Sequence, residues 1–464
     1  MLRKLVLCFL VIGGAVATLG SASAPDTIVR PAKFNYTMTT LPNGLQVVYL
    51  EDHSTPIVHA AIWYHVGSKD EKPGRTGFAH LFEHLMFKGS RNVRPDAHPS
   101  WITSIGGQAN AFTDEDATVY WQTVPAQYLP LVLWLEADRM ASLEVTQDKF
   151  KTEVEVVQEE RRMRVENQPF GRLPEIIFDK AFTTHPYKHQ TIGSLADLQA
   201  ASISDVQAFH DTYYVPNNAT LVIAGDFDTK LAQGLVEQYL GRVPGGKPVP
   251  RDIPVEPPQK FTKEFTVTES WPLPAVVVSH HITNDGHPDA YPLHILAKIL
   301  SDGDSSRIYR ALVYEKPLAL AAFGEAKLIE HPNLFYAVAI VQPGNRPEVV
   351  LQALQAPLDK VKTEGVTAAE LNRAKRQFAR DYILGRESVQ QKALHLAHAI
   401  VIHNDIKTAD GEFDLFQNVT LADVQRVAKK YFTAESRMLL TILPKGAPGT
   451  LPPGFEFPRD GGVK

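Results

Sequence analysis

One short segment of the sequence contains the residue types that bind and use a metal ion. In RTGFAHLFEHLMFKGS, His80 and His84 are four residues apart, so on a helix they project from the same face. Two neutral imidazoles presented in this way can share one zinc ion. Glu83 lies beside them, where a carboxylate can accept a proton from water activated by the metal. The spacing predicts a metal-dependent hydrolytic site; the alternative is a helix at the edge of the core with two solvated histidines.

The segments around this motif predict a mixture of helices and strands. Alternating or β-branched and aromatic residues predict strands at GLQVVYLED, PIVHAAIWYHV, ATVYWQTVP and PAVVVSHHI. Helical patterns cover residues 128–141 and 146–165, with Thr146 as an N-cap, and a capping box from Thr367 to Glu370 begins another helix. We therefore predict an α+β fold in which helices cover mostly antiparallel sheets.

Length and charge narrow the classes of function. A chain of 464 residues is too long for one ordinary core, so two or more domains are expected. Its 44% hydrophobic and 21% charged residues are normal for a globular protein. The formal net charge is −5, from 47 basic and 52 acidic residues. This balance argues against nucleic acid or an anionic membrane surface as a partner.

The first 24 residues have the layout of a secretory signal peptide. Arg3 and Lys4 precede a short apolar run, which is followed by small residues. An uncleaved membrane anchor is the alternative, but Gly13 and Gly14 interrupt the apolar run. The only cysteine, Cys8, lies within this segment, so the mature chain would have no disulfide. We expect an exported protein, periplasmic if the source is a Gram-negative bacterium and otherwise secreted.

A proline-rich segment separates two halves that resemble each other. PGGKPVPRDIPVEPPQK, from Pro244 to Lys260, predicts a stiff linker. Residues 203–226 and 421–444 share an order of helix, aromatic pair, turn and apolar strand, which indicates a duplication. The predicted organisation is a signal peptide (1–24), a metal-binding N-terminal domain (25–243), a linker (244–260) and a homologous C-terminal domain without a metal site (261–464).

Six stretches, in order, resemble the pitrilysin, insulin-degrading enzyme and mitochondrial processing peptidase family, whose inverted zinc motif is H-x-x-E-H. They are LPNGLQVVYLEDHSTPIV, GFAHLFEHLMFKGS, GGQANAFTDEDATVYW, EVEVVQEERRM, HPYKHQTIG and YYVPNNATLVIAGD, between about Thr40 and Asp226. The two-half layout resembles the short bacterial and mitochondrial branch, whose subunits have two homologous domains. The resemblance implies a zinc metalloendopeptidase for peptides or unfolded polypeptides, with one Zn²⁺ per chain and Glu83 as general base.

The same resemblance implies roles for residues outside the motif. Glu160, 76 positions after the second motif histidine, matches the family's third zinc ligand. Glu153, two turns earlier on the same helix face, matches a glutamate that supports the ligands. The neighbouring Glu159 competes for the ligand role, but a helix turns it about 100° away from Glu160. Asn110 and Ala111 match the sheet edge that holds the substrate as an added strand.

The second half departs from the family pattern. In the family, an Arg and a Tyr separated by six residues bind the substrate beside the zinc, and Val313 and Leu320 stand at these places in SSRIYRALVYEKPLAL. Neither side chain can donate a hydrogen bond. Some short-branch enzymes divide these features between two subunits, so we predict the zinc-bearing member of a heterodimer. The alternative is a homodimer that uses other residues, such as Arg307 or Tyr309.

Two other classes of protein compete with an active peptidase. A non-catalytic relative would serve as a scaffold or bind peptides, although such relatives have usually lost motif residues. A periplasmic binding protein would use a two-domain cleft and would not need Glu83. Elsewhere, His395 and His398 are interpreted as a satisfied surface pair, and DGDSSR at Asp302–Arg307 as a turn rather than a phosphate loop.

Overall fold

The described part of the protein contains two β-sheets, one from each half of the sequence. The computed structural model describes residues 29–446, 449, 451–452 and 454–455, so the predicted signal peptide lies outside the described residues. In the described chain, the first sheet comprises β1 (Thr37–Thr40), β2 (Gln46–Glu51), β3 (Ile57–Tyr64), β4 (Gln108–Thr113), β5 (Thr118–Pro125) and β6 (Ala219–Gly225). The second sheet comprises β7 (Lys263–Glu269), β8 (Ala275–His281), β9 (Ala319–Ala326), β10 (Leu334–Val341) and β11 (Arg437–Pro444).

The two sheets share one topology. The first has the order β1-β2-β6-β3-β5-β4 and the second has the order β7-β11-β8-β10-β9. If β1 is set aside, each strand of one sheet has a counterpart in the other. In each sheet one neighbouring pair is parallel, β2 with β6 and β7 with β11, and the other pairs are antiparallel. The predicted α+β class with two mostly antiparallel sheets is confirmed.

Helices of the first half and then of the second half cover these sheets. Those of the first half are α1 (Phe78–Leu85), α2 (Ala97–Ser104), α3 (Leu129–Ser142), α4 (Gln147–Arg161), α5 (Leu173–Ala181), α6 (Leu195–Ala200), α7 (Ile203–Tyr213) and α8 (Thr229–Tyr239). Those of the second are α9 (Ala290–Ser301), α10 (Arg307–Tyr309), α11 (Pro347–Glu364), α12 (Ala368–Leu384), α13 (Val389–Val401), α14 (Thr408–Gln417) and α15 (Leu421–Tyr431). Within the described residues, no helix has both the length and the apolar character needed to cross a membrane.

The sequence repeat corresponds to a structural repeat. α7 leads into β6 and α15 leads into β11, and both strands form the parallel pair of their sheet. Each helix begins with a capping box, Ser202 with Asp205 and Thr420 with Asp423. Such a box satisfies two backbone N–H groups at the helix start, which explains why the aligned aspartates recur in the sequence.

Each half supplies a helix to the core of the other. Side chains of α5, such as Leu173 and Ile177, pack with Leu273 and Val338 of the second half. In return, α13 packs its apolar face, including Leu396, against β2, β3 and β6 of the first sheet. The segment 244–260 between the halves forms no helix or strand. The predicted boundaries therefore divide the sequence into two halves, but each half contributes one helix that packs on the sheet of the other half.

A buried ammonium group also joins the halves. Lys69 is 1% exposed, and its Nζ lies 2.8 Å from Glu330, 3.2 Å from Asp116 and 3.9 Å from Asp70. Asp116 also accepts hydrogen bonds from the Tyr187 hydroxyl at 2.6 Å and from the Glu330 backbone N–H at 3.0 Å. The buried cation thus offsets part of the negative charge of carboxylates from both halves.

We expect Lys69→Met to lower the free energy of unfolding by about 3–5 kcal/mol, because it leaves buried carboxylates without their cation. Urea unfolding followed by circular dichroism measures the change. Lys149→Met is the matched control, since the partner of Lys149, Glu144, is 56% exposed. Loss of that surface pair should cost about 1 kcal/mol or less. Equal small effects of the two substitutions would contradict a structural role for the buried cluster.

Candidate metal centre and active-site cleft

The start of α1 is fixed by a buried carboxylate that precedes it in the sequence. Gly77 adopts a left-handed conformation, with φ of 94°, and forms the N-cap. The two carboxylate oxygens of Glu71 accept hydrogen bonds from the backbone N–H groups of Gly77 and Ala79, both at 2.9 Å. A negative charge at this helix end is favourable because the first N–H groups lack partners inside the helix. Glu71 thereby sets the direction of the helix that carries the motif.

The HPYKHQTIG segment supports the same helix end. His189 Nε2 lies 2.9 Å from Glu71 Oε2. Gly193 approaches Gly77 so closely that a Cβ atom at Gly193 would lie 2.4 Å from the Gly77 nitrogen. The Gly193 carbonyl accepts a hydrogen bond from Arg161 of α4 at 2.8 Å. Through these contacts the segment fixes α1 and α4 relative to each other.

Three potential metal-binding side chains meet between α1 and α4. Glu160 Oε2 lies 3.7 Å from His80 Nε2 and 3.3 Å from His84 Nε2. One ligand atom from each of the three residues lies within 4.8 Å of the others. The two imidazole rings are 5.0 Å apart and nearly perpendicular. The structure therefore brings together the three residues that the sequence predicted as ligands.

A second glutamate orients one of these imidazoles. Glu153 Oε2 lies 3.4 Å from His84 Nδ1, the nitrogen on the side of the ring away from Glu160. The other oxygen of Glu153 lies 3.1 Å from Lys88 Nζ. Contact at Nδ1 leaves Nε2 to face Glu160, which is the usual arrangement by which a carboxylate sets the tautomer of a metal-binding histidine.

The two imidazoles differ in their electrostatic surroundings. Burial lowers the pKa of His80 to about 4, and its buried Nδ1 has no hydrogen-bond partner in the described part of the chain. Burial also acts to lower the pKa of His84, but hydrogen bonds to Glu153 and Glu160 outweigh it and raise this pKa to about 9. The hydrogen bond with His84 lowers the pKa of Glu160. Glu153 and Glu160 thus place negative charge on both sides of His84, and this favours binding of a cation there.

This donor set fits a divalent zinc ion. Two imidazole nitrogens and one carboxylate oxygen are a common protein ligand set for catalytic zinc and leave a position for water or substrate. Glu160 Oε1 is held by Arg164 at 2.7 Å, so its other oxygen faces the histidines. Glu159 instead pairs with Arg162 and is 55% exposed, away from the cluster.

Glu83 lies beside the cluster but makes a different contact. Its Oε2 accepts a hydrogen bond of 2.7 Å from the hydroxyl of Thr113, at the end of β4. Burial raises its pKa above the ordinary value for glutamate. A carboxylate with a raised pKa is better matched to moving protons near neutral pH.

The cluster forms part of a cleft of about 840 Å³ bordered by an edge strand. β4 is the last strand of the first sheet and pairs on one side with β5. Asn110 is exposed, Ala111 is buried, and both line the cleft with Thr113. The Ala111 N–H donates a hydrogen bond of 2.9 Å to the side-chain oxygen of Asn110, rather than to a neighbouring strand. This edge therefore has a backbone donor that an added strand could use.

Glu71 and Thr113 contribute to the site but are not recognisable from the sequence pattern. Glu71 precedes the motif histidines by nine residues or more, and nothing in its local pattern links it to the start of α1. Thr113 lies within the quoted stretch GGQANAFTDEDATVYW, but its contact with Glu83 depends on how β4 passes α1. The HPYKHQTIG stretch contains the His and the Gly that contact the start of α1. It was the sequence feature that could have indicated a contact at this helix end.

Among the described residues of the second half, no equivalent ligand set stands at the corresponding place. α9 follows β8 as α1 follows β3, and it presents His294 and Lys298 four residues apart. Lys298 Nζ lies 2.9 Å from the carboxylates of both Asp302 and Asp381. A fixed ammonium group thus neutralises the acidic side chains there. DGDSSR forms the turn that was predicted from its sequence, and the Arg307 side chain makes two hydrogen bonds to Glu370, at 2.7 and 2.8 Å.

Comparison with known proteins agrees with this architecture. The family model described as Insulinase (Peptidase family M16) matches residues 46–194, and the one described as Peptidase M16 inactive domain matches residues 200–378. Zinc protease PqqE of Helicobacter pylori is 32% identical over 397 residues, which are 85% of this chain and 89% of that protein. This chain belongs to peptidase family M16. The three clustered residues and Glu83 all lie in the first matched range.

Solved structures of other proteins share the fold. The crystal structure of a protease from Helicobacter pylori superposes with a TM-score of 0.85 at 31% identity, covering 89% of this chain and all of that one. The periplasmic protease PqqL of Escherichia coli has a TM-score of 0.73 at 16% identity, and the match covers 89% of this chain but 48% of PqqL. A longer chain can therefore contain this two-sheet fold in about half its length.

We expect Glu153→Gln to lower zinc affinity by about 10–100-fold, because loss of an outer partner frees the histidine it orients. Competition with a chelating dye measures the affinity. Glu155→Gln, on the exposed side of the same helix, is the matched control and should bind zinc as the wild type does. Unchanged affinity in Glu153→Gln would show that Glu153 does not position His84.

Proposed function

We propose that this M16 protein is a zinc metalloendopeptidase that hydrolyses peptides or unfolded polypeptides. The observation that carries the proposal is the convergence of His80, His84 and Glu160 next to Glu83, in a cleft bordered by an edge strand. Zinc-protease names among the relatives support the metal and the reaction class. His80, His84 and Glu160 would hold the zinc ion, with Glu153 orienting His84.

The chemistry follows from the position of each side chain. Zinc, when bound, would supply a Lewis acid that makes water more acidic and polarises the peptide carbonyl. Glu83 takes the proton from the attacking water and delivers it to the leaving amine as the C–N bond breaks. Thr113 holds one oxygen of Glu83, so the other oxygen remains free for this proton transfer. The raised pKa of Glu83 suits a group that must both accept and donate a proton.

The cleft supports an extended substrate. A peptide added along β4 would accept a hydrogen bond from the Ala111 N–H, in place of the Asn110 side-chain oxygen that accepts it in the free protein. Main-chain pairing of this kind requires an unfolded substrate segment but is tolerant of its sequence. Asn110 and Ala111 would therefore hold the peptide across the metal centre.

A homologous partner is the second part of the proposal. Val313 is half-buried, and Leu320 on edge strand β9 is 38% exposed. Arg307, the alternative donor in this region, is engaged with Glu370. We propose that a homologous subunit lacking H-x-x-E-H supplies the Arg and Tyr, and that the chain is exported with it. A homodimer remains the alternative assembly, and a non-catalytic scaffold the alternative function.

The experiment for this function compares substrates. The purified chain, with and without a homologous subunit from the same source, is incubated with a mixture of unstructured peptides and with a stable folded protein. We expect cleavage within the peptides and little attack on the folded protein. Zinc binding without cleavage, even with the homologous subunit present, would favour the scaffold. Rapid digestion of the folded protein would contradict the strand-addition mode.

We expect Val313→Arg combined with Leu320→Tyr to raise the activity of the isolated chain by about 10–100-fold. The restored donors would contribute roughly 1.5–3 kcal/mol through charge-assisted hydrogen bonds at the transition state. Initial rates with one unstructured peptide measure the effect. Val349→Arg with Leu384→Tyr makes the same changes at two other exposed sites of the second half, which do not match the family's Arg and Tyr positions, and should leave the rate unchanged. Full activity of the unmodified single chain, with no gain from the double substitution, would exclude the partner requirement.

A further inference from the structure

A second cluster of metal-binding side chains lies in the second half, outside the cleft. Asp285 is in the loop after β8, His398 is in the last turn of α13, and His403 is in the turn between α13 and α14. One ligand atom from each residue lies within 4.8 Å of the others. Helical spacing pairs His398 with His395, but His395 Nε2 is directed to the Ala409 carbonyl at 3.0 Å. The structure instead places His398 opposite His403.

The geometry of this cluster repeats that of the cleft. The rings of His398 and His403 are 5.2 Å apart with an angle of 81° between their planes, compared with 5.0 Å and 79° for His80 and His84. One carboxylate oxygen, Asp285 Oδ2, faces both rings, at 2.9 Å from His403 Nε2 and 3.8 Å from His398 Nε2. In the cleft, one oxygen of Glu160 faces both rings in the same way.

The neighbouring contacts leave these three atoms directed at one another. The Gly286 N–H donates to Asp285 Oδ1 at 2.8 Å, so Oδ2 is the oxygen that remains for the histidines. The Thr408 hydroxyl lies 2.9 Å from His403 Nδ1, which leaves Nε2 on the side of Asp285. A hydrogen bond at one ring nitrogen is the arrangement that prepares the other for a metal.

A simple ion pair explains only part of this arrangement. Asp285 and His403 form such a pair, but His398 lies beyond hydrogen-bond distance of the carboxylate and its side chain is 43% exposed. A shared ion accounts for both histidines and leaves room for water as a further ligand. Glu412 lies on the other side of His403, 4.0 Å from Nδ1, so it is not in the position that Glu83 has in the cleft.

We propose that Asp285, His398 and His403 bind a second divalent transition-metal ion, with zinc as the ion that such a ligand set accepts readily. The role is structural. α13 covers the first sheet, whereas Asp285 follows a strand of the second sheet, so the ion would fasten one to the other. This proposal does not depend on peptidase activity.

The test removes the cleft site first. The full chain with His80→Ala and His84→Ala, freed of any purification tag, is titrated with ZnCl₂ by calorimetry, and its unfolding is followed with and without zinc. We expect about one zinc ion per chain to bind, and the midpoint of thermal unfolding to rise on binding. Absence of zinc binding in this background would overturn the proposal.

A third substitution identifies the ligands. Adding His398→Gln should weaken the remaining zinc binding by at least ~10-fold. Even the loss of a residue that only hydrogen-bonds to a metal ligand can weaken metal binding by that factor. Because His398 is the most exposed of the three ligands, the protein should still fold, and circular dichroism checks that it does. His395→Gln is the matched control on the same helix and should bind zinc as the background protein does. Zinc binding that is insensitive to His398→Gln, or equally weakened by His395→Gln, would overturn the assignment.

Discussion

Glu83→Gln is expected to lower the turnover number by about 10²–10⁴-fold, the usual contribution of a positioned acid–base group. Zinc content should equal that of the wild type, because Glu83 faces Thr113 and is not among the three clustered ligands. Metal analysis and initial rates on the same preparation give both quantities. Loss of zinc from this variant would contradict the separation of base and ligand.

A control substitution on α4 tests whether the loss of turnover is specific to Glu83. Glu155→Gln introduces the same change on the exposed side of α4 and should leave the turnover number unchanged. A wild-type turnover number in Glu83→Gln would exclude this residue as the base.

Glu160→Gln should lower zinc affinity by more than ~100-fold. This exceeds the roughly 10–100-fold loss expected when a residue that only hydrogen-bonds to a ligand is replaced. The amide oxygen has no negative charge to offer the ion or the histidines. The variant should therefore hold one zinc ion fewer than the wild type after dialysis, and its peptidase activity should fall with the metal. Metal analysis by mass spectrometry measures the difference.

The adjacent residue provides the control for this substitution. Glu159→Gln should retain wild-type zinc, because Glu159 pairs with Arg162 on the exposed side of the helix. If Glu160→Gln kept its zinc and Glu159→Gln lost it, the ligand assignment would be reversed.

The elements that carry the site could be predicted because their signals are local. The spacing of His80 and His84 indicates one helix face, and Thr146 marks the start of α4 through its side chain, which accepts a hydrogen bond from the Lys149 N–H. The seven-residue spacing of Glu153 and Glu160 places both on one face, and both indeed reach His84. The assignment of Glu160 as the third ligand depended on the family resemblance, because acidic residues on a helix are usually solvated.

The contacts that the sequence did not reveal are those between distant segments. An apolar stripe shows that α5 and α13 are buried, but not that each covers the sheet of the other half. The Glu71 carboxylate reaches the start of α1 only because the chain turns back there. His398 likewise meets His403 and Asp285 through tertiary packing, which the three-residue spacing of His395 and His398 does not reveal.

The most direct test of the account is whether peptide cleavage follows zinc at the cleft. The purified chain is treated with a chelator, dialysed, and assayed with an unstructured peptide before and after zinc is restored, with Glu83→Gln measured in parallel. We predict that cleavage disappears on chelation and returns with zinc in the wild type, whereas Glu83→Gln remains inactive when its zinc is restored. Cleavage that persists without metal, or that zinc restores equally in Glu83→Gln, would contradict the account.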